Sequence, residues 1–312
     1  MIERRVLEFD HPLLRGLEHP LFEARGERPG PRLSLIGGIH GCEYSSIAAV
    51  VRVIEELDTS ELAGSISAVP VVSLESFRQR SPFVVPADGK NLNRCFPGRY
   101  DGTYADALAR AIFETLIEPA DVLVDLHGGD LVESLEPFVL YQESSVEVEA
   151  RGLAVAFGLP YVVRQRRVGS LGGMTASAAA DAGVPAIIAE AGGCGLLEEE
   201  AVAMLAAGVR NALRHLEMLP GPVEPPPRPP REVGDFVWLR CEHEGWWEAA
   251  VRAGDEVGEG ATLGRVRNLW GDELERIAAP ADGVVLFLTT SCAVTADGLL
   301  LGLGTGLEPI SP

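Results

Sequence analysis

Arg32-Leu-Ser-Leu-Ile-Gly-Gly-Ile-His-Gly-Cys-Glu-Tyr-Ser-Ser-Ile-Ala-Ala-Val-Val-Arg-Val-Ile-Glu-Glu-Leu57 contains a strand, a turn and a helix in one stretch. Leu33, Leu35 and Ile36 mark residues 32–38 as a buried strand. Ile47, Val50, Val51, Ile54 and Leu57 recur at the helical period and predict a helix over 44–57. His40 and Glu43 stand three apart in the turn between them. That spacing lets an imidazole nitrogen and a carboxylate oxygen meet on one metal ion. A catalytic zinc takes three protein ligands and leaves one position open, so this pair needs a third.

The strand-then-helix pattern continues outward. Further strands are predicted at 66–72, 121–126, 136–142, 160–165 and 185–190, and further helices at 103–117, 145–157, 174–182 and 197–218. The last helix opens on Glu198, Glu199 and Glu200 and closes near Arg214 and His215, which suits the helix dipole. Such alternation predicts an α/β domain with a largely parallel or mixed sheet and helices on both faces. Active sites of such sheets lie beyond the carboxyl ends of the strands.

The pattern breaks at Leu219-Pro-Gly-Pro-Val-Glu-Pro-Pro-Pro-Arg-Pro-Pro-Arg231, where seven of thirteen residues are proline. An extended polyproline connector is expected there. It divides the chain into an α/β domain over 1–218, a linker over 219–231 and an all-β domain over 232–312. Short period-two runs and turns such as Ala253-Gly-Asp255 and Ala281-Asp-Gly283 predict a small antiparallel barrel or sandwich in that last part. Its turns look similar to lipoyl-type carrier barrels, but acylation needs a lysine, and the only lysine, Lys90, lies in the other domain.

The chain has 312 residues and a formal net charge of −20, which disfavours nucleic acid and anionic membrane surfaces as partners. Its five cysteines are scattered and form no CxxC, which suits a reducing cytoplasm rather than a disulfide framework. The segment MIERRVLEFD has no apolar signal-peptide core. The expectation is a soluble, cytoplasmic protein with no membrane span, and self-association is left open.

Six histidines are present, and His127 stands out among them. Asp121-Val-Leu-Val-Asp-Leu-His127 reads as a buried strand that delivers His127 at its carboxyl end, as 32–38 delivers His40. Asp125, two residues earlier, points to the same side and is placed to orient the imidazole. Cys241-Glu-His243-Glu reads as solvated loop rather than as a second metal tract.

His40-Gly-Cys-Glu43, then Asn91-Leu-Asn93-Arg94-Cys-Phe96-Pro97-Gly98, then Asp125-Leu-His127, in that order, resemble the succinylglutamate desuccinylase/aspartoacylase family, a branch of the zinc carboxypeptidase superfamily. The motifs span roughly residues 30–200. The resemblance implies one zinc ion per chain, bound by His40, Glu43 and His127. It implies that Asn93 and Arg94 hold a substrate carboxylate, a role suited to the planar guanidinium fork. It implies that an upstream arginine polarises the scissile carbonyl; Arg80 is the match and Arg78 the alternative. Ser73-Leu74 stands where related proteins carry Asn-Pro. Glu190, ending the strand 185–190, matches the family's general base, and Gly192, Gly193 and Gly195 suggest backbone packed close to the site.

The implied activity is zinc-dependent hydrolysis of the amide of a small N-acyl amino acid. A carboxypeptidase acting on peptides and a zinc-binding assembly protein without activity are the alternatives. A C-terminal domain packed beside the site would narrow it to small substrates, with Trp246, Trp247 or Trp270 as candidate contacts. An anionic acyl group would need a further cation, for which the run Arg164-Gln-Arg166-Arg167 is the candidate. Cys42, Cys95 and Cys194 lie inside the motifs and read as buried small side chains.

Overall fold

The computed structural model describes residues 1–166 and 173–310. Ten strands carry the labels used below. They are β1 (Ile2–Leu7), β2 (His19–Arg25), β3 (Arg28–Gly37), β4 (Ala63–Val69), β5 (Val122–His127), β6 (Glu133–Leu135), β7 (Phe138–Gln142), β8 (Tyr161–Gln165), β9 (Ala186–Glu190) and β10 (Arg231–Val233). Six helices are labelled: α1 (Tyr44–Glu55), α2 (Leu74–Gln79), α3 (Tyr104–Ile112), α4 (Glu147–Phe157), α5 (Thr175–Asp181) and α6 (Glu199–His215).

The main sheet runs β1-β2-β4-β3-β5-β9-β7-β8-β10 and ends on the short strand Glu308–Pro309. β4, β3, β5 and β9 are mutually parallel, whereas β7 enters antiparallel to β9. This is the mixed α/β sheet that the alternation predicts. β5 shows how a strand serves two cores: Val122, Val124 and Leu126 join one hydrophobic cluster and Leu123 the other. The first cluster holds the inner faces of α1, α4 and α6, and the second those of α3 and α5. Helices therefore cover both faces. Each large apolar side chain buried this way contributes about 1.5–3 kcal/mol.

Two details depart from the sequence expectation. In α1 the buried stripe runs through Ser45, Ser46, Ala49, Val50, Val53 and Ile54, with Ile47 and Val51 only partly covered. Small residues lead the stripe where α1 meets α6. The edge strand β1, its neighbour β2 and the short helix α2 have no counterpart in the expected elements. β1 (Ile-Glu-Arg-Arg-Val-Leu) is mostly exposed, so it shows no burial period to read.

The proline-rich stretch leads into β10, which pairs in parallel with β8. The chain beyond forms two antiparallel sheets around a core that includes Trp247, Leu263, Val266, Val285 and Leu301. One sheet also takes up β6, which pairs with the strand Gly283–Thr289. Together with the pairing of β8 and β10, this seam ties the C-terminal segment to the α/β part. Among the described residues, no helix is long and apolar enough to cross a membrane.

Candidate active site

Neighbouring strands of the main sheet deliver the chemistry at one edge. β5 ends on His127 and β9 on Glu190, and the two are register partners. β3 ends on Gly37, and the turn after it carries His40 and Glu43 to the same edge. A Cβ added at Gly41 would lie 2.0 Å from the Phe77 nitrogen, so only glycine lets this turn pass α2 so closely.

His40, Glu43 and His127 bring one ligand atom each to within 4.8 Å of one another. His40 Nδ1 lies 2.7 Å from Glu43 Oε1, and His127 Nδ1 lies 3.1 Å from Glu43 Oε2. The opposite ring nitrogens are anchored. His127 Nε2 meets Asp125 Oδ2 at 3.0 Å, and His40 Nε2 meets Asn91 Oδ1 at 3.0 Å. Thr175 Oγ1 donates to the same Asp125 oxygen. Both acceptors hold a proton on Nε2 and turn the Nδ1 lone pairs toward the Glu43 carboxylate. Lone pairs facing an anion repel unless a cation lies between them. The donor set therefore fits a divalent metal with nitrogen and oxygen ligands, and the anchored rings match the usual support of such ligands.

In the metal-free cluster, protons on the two rings take the place that a cation would hold between them and Glu43. Burial pushes Glu43 up, but the charges of His127 and His40 outweigh it and hold it at about 2. Burial works against a charged ring at His127, yet Asp125 and Glu43 raise it well above the ordinary value. Burial pushes Glu190 up to about 8, with Glu43 and Glu133 adding to the rise and His127 opposing it.

A cavity of about 450 Å³ opens over this cluster. His40, Glu43, His127, Asn93, Arg94 and Glu190 all line it. Asn93 is buried, and its Oδ1 accepts from the Thr175 nitrogen at 3.0 Å, which leaves its amide NH2 as a donor. Arg94 donates to the Asn93 carbonyl at 2.7 Å and has no carboxylate partner among the described residues. The loop carrying both is pinned to the start of α3. Lys90 Nζ meets Asp106 Oδ2 at 2.7 Å, and Asp88 accepts from the Ala105 nitrogen at 2.8 Å.

Arg80 and Arg78 fall outside the lining. Arg80 is exposed at the left-handed C-cap of α2, with φ 54°, and its charge reaches Tyr44 beside Glu43. The charge of Arg78 is felt instead by His19 and Tyr104. Arg164 is held by Glu143 and Glu147, and Arg167 lies outside the described residues. Cys42 is fully buried and absent from the ligand cluster, and burial pushes its thiol up to about 11.

The C-terminal segment supplies an aromatic wall, but not from the expected tryptophans. Trp247 is buried in its own core, and Trp246 and Trp270 are exposed away from the cavity. Phe236, Trp238 and Phe287 line it instead; Phe236 and Trp238 have ring centroids 4.5 Å apart. Glu133 is a further lining residue that the motifs do not contain. Asn91 lies within a motif, but the sequence pattern carried no sign of its bond to His40.

Residues 29–216 match the succinylglutamate desuccinylase/aspartoacylase catalytic domain. The chain belongs to this family. It is 31% identical over 254 residues, 78% of this chain and 72% of the relative, to an N-alpha-acetyl-L-2,4-diaminobutyric acid deacetylase from Halomonas elongata. The product-bound ectoine utilization protein from Ruegeria pomeroyi superposes with a TM-score of 0.85 at 26% identity, over 97% of this chain and 95% of that one. A succinylglutamate desuccinylase/aspartoacylase from Rhodobacter sphaeroides shares the fold at a TM-score of 0.85 and 24% identity, over 100% and 96% of the two chains.

Proposed function

We propose that this protein is a zinc-dependent amidohydrolase that removes a short acyl group from a small N-acyl amino acid. The observation that carries the reading is the convergence of His40, Glu43, His127, Asn93, Arg94 and Glu190 on one cavity. Family membership and the activity named for the Halomonas relative support the reaction class. The cavity volume and the aromatic wall favour a small substrate over a peptide chain.

His40, Glu43 and His127 would hold the zinc, which supplies Lewis acidity toward the amide carbonyl and makes water a nucleophile near neutral pH. Glu190 takes the proton from the attacking water and returns it to the leaving nitrogen. A carboxyl raised toward neutrality suits a group that must both accept and donate. The Arg94 fork and the Asn93 amide bind the substrate carboxylate and set the scissile bond against Glu190. Arg80 is exposed outside the cavity lining and has no ion-pair partner among the described residues; in this reading its long side chain would swing in to the carbonyl oxygen as charge develops there. Asp125 and Asn91 keep the two imidazoles aimed.

The test is a hydrolysis screen of N-acetyl and N-succinyl amino acids with zinc-loaded protein, beside a set of dipeptides. Release of amine from an N-acyl amino acid is expected. Turnover of dipeptides alone would favour a carboxypeptidase, and no turnover at all a binding protein.

A further inference from the structure

Glu133 has no part in the chemistry above, yet its placement is tightly built. In the pairing of β6 with the strand Gly283–Thr289, Glu133 lies opposite Thr289 and Leu135 opposite Phe287. Cross-strand partners share a face, and so do alternate residues. These four side chains therefore point the same way, and all four line the cavity. The Glu133 backbone is clamped from the other side. Its carbonyl accepts from the Cys194 nitrogen at 2.7 Å. A Cβ at Gly129 or Gly193 would come within 2.3 or 2.4 Å of that oxygen, so both positions require glycine. The side chain thus leaves a fixed backbone on the cavity side of the strand, and the Asp130 nitrogen holds its carboxylate.

Its charge is unanswered. Oε2 accepts from the Asp130 nitrogen at 3.0 Å, and no arginine, lysine or histidine forms an ion pair with it among the described residues. Around it the wall is largely apolar, with Leu135, Phe138 and Phe287 among the lining residues. A carboxylate in such surroundings is costly unless a cation meets it. Burial pushes Glu133 up to about 8 in the absence of one.

We propose that Glu133 receives a side-chain ammonium group of the substrate, which makes the substrate an N-acyl diamino acid. This rests on the deacylase reading above and adds the residue that selects the amino acid. The substrate carboxylate would sit on Arg94 and Asn93, its amide at the metal cluster, and its amine on Glu133 beside the aromatic wall.

The test compares Nα-acetyl-L-2,4-diaminobutyrate, Nα-acetyl-L-2-aminobutyrate and N-acetyl-L-aspartate on zinc-loaded protein. The first two differ chiefly by the amine. The expected kcat/KM preference for the diamino compound is roughly 100-fold or more, the range in which a site built to pair a polar group rejects an analogue lacking it. Glu133→Gln should compress that preference to less than about tenfold, mainly through KM, while turnover of the aminobutyrate compound persists. Equal use of the first two compounds by the unmodified protein would overturn the proposal. So would an unchanged preference in Glu133→Gln, or an equal loss on all substrates, which marks a group acting on the scissile bond. If none of the three is hydrolysed, the deacylase reading has failed. Calorimetric titration of the Glu190→Gln protein with 2,4-diaminobutyrate and 2-aminobutyrate then decides. Preferential binding of the diamino compound that disappears when Glu133→Gln is added supports the ammonium site, and equal binding overturns it.

Discussion

His127 and Glu190 are register partners at the ends of adjacent parallel strands. Their backbones share a ladder, so one imidazole of the His40, Glu43 and His127 group and a carboxylate emerge side by side at the carboxyl end of the sheet. This fixes Glu190 beside that group with the rigidity of the sheet rather than of a loop. Replacing Glu190 with Gln keeps the shape and removes the proton acceptor. The expected outcome is a fall in kcat of about 10²–10⁴-fold with zinc content unchanged, read by steady-state kinetics beside metal analysis.

Asp125 acts one step further out. It is fully buried, holds His127 Nε2 at 3.0 Å and is itself held by Thr175. Asp125→Asn keeps the volume but weakens the grip on the imidazole. Zinc affinity should drop by about 10–100-fold, measured by competition with a chromophoric chelator. Unchanged affinity would mean that His127 is aimed by packing alone.

Arg94 presents a fork where a lysine would present a point charge. Arg94→Lys should lower kcat/KM by about tenfold or more, through kcat as well as KM, because orientation of the substrate carboxylate suffers more than its attraction. The same variant should be nearly silent toward an N-acyl amine that has no carboxylate.

Metal and pH are linked through the buried groups. In the metal-free protein, burial and neighbouring carboxylates leave Glu133 and Glu190 at about 8, while His40 and His127 are raised by facing carboxylates despite their burial. Each of these groups binds protons more tightly folded than unfolded, so each stabilises the fold at low pH. For the glutamates this contribution declines between the ordinary value of 4.5 and about 8, and for the histidines it declines above 6.5. Glu43, held at about 2, has the opposite sign, but its contribution is lost only at acid pH. Thermal melts of chelated protein should therefore fall in Tm from pH 6 toward pH 8.5. Added zinc replaces the lost protons, so its stabilising effect should grow over the same range.

Much of this was legible in the sequence because it is local. Leu33 to Glu43 and Asp121 to His127 each contain a buried strand and the candidate ligand at its end, and the alternation of side chains along β5 puts Asp125 and His127 on the opposite face from Val122 and Val124. Asn93 and Arg94 sit in a motif whose loop is pinned by neighbours in sequence, Asp88 and Lys90. What escaped depends on pairings between distant segments. Glu133 and Trp238 reach the cavity only because β6 joins a C-terminal strand, and no local periodicity announces that seam. Trp246, Trp247 and Trp270 were equally plausible from composition, and only the placement of the C-terminal sheets distinguishes them from Trp238. Arg80 and Arg78 influence different groups, Tyr44 for the first and His19 and Tyr104 for the second, a difference that their closeness in sequence does not carry.

Hydrolysis at a metal held by His40, Glu43 and His127 can be read by titrating zinc into chelated protein while following the initial rate of N-acetyl amino acid hydrolysis. No turnover is expected without metal, and the rate should rise linearly and saturate at one zinc per chain. A rate already present in the chelated protein, and unmoved by zinc, would contradict it.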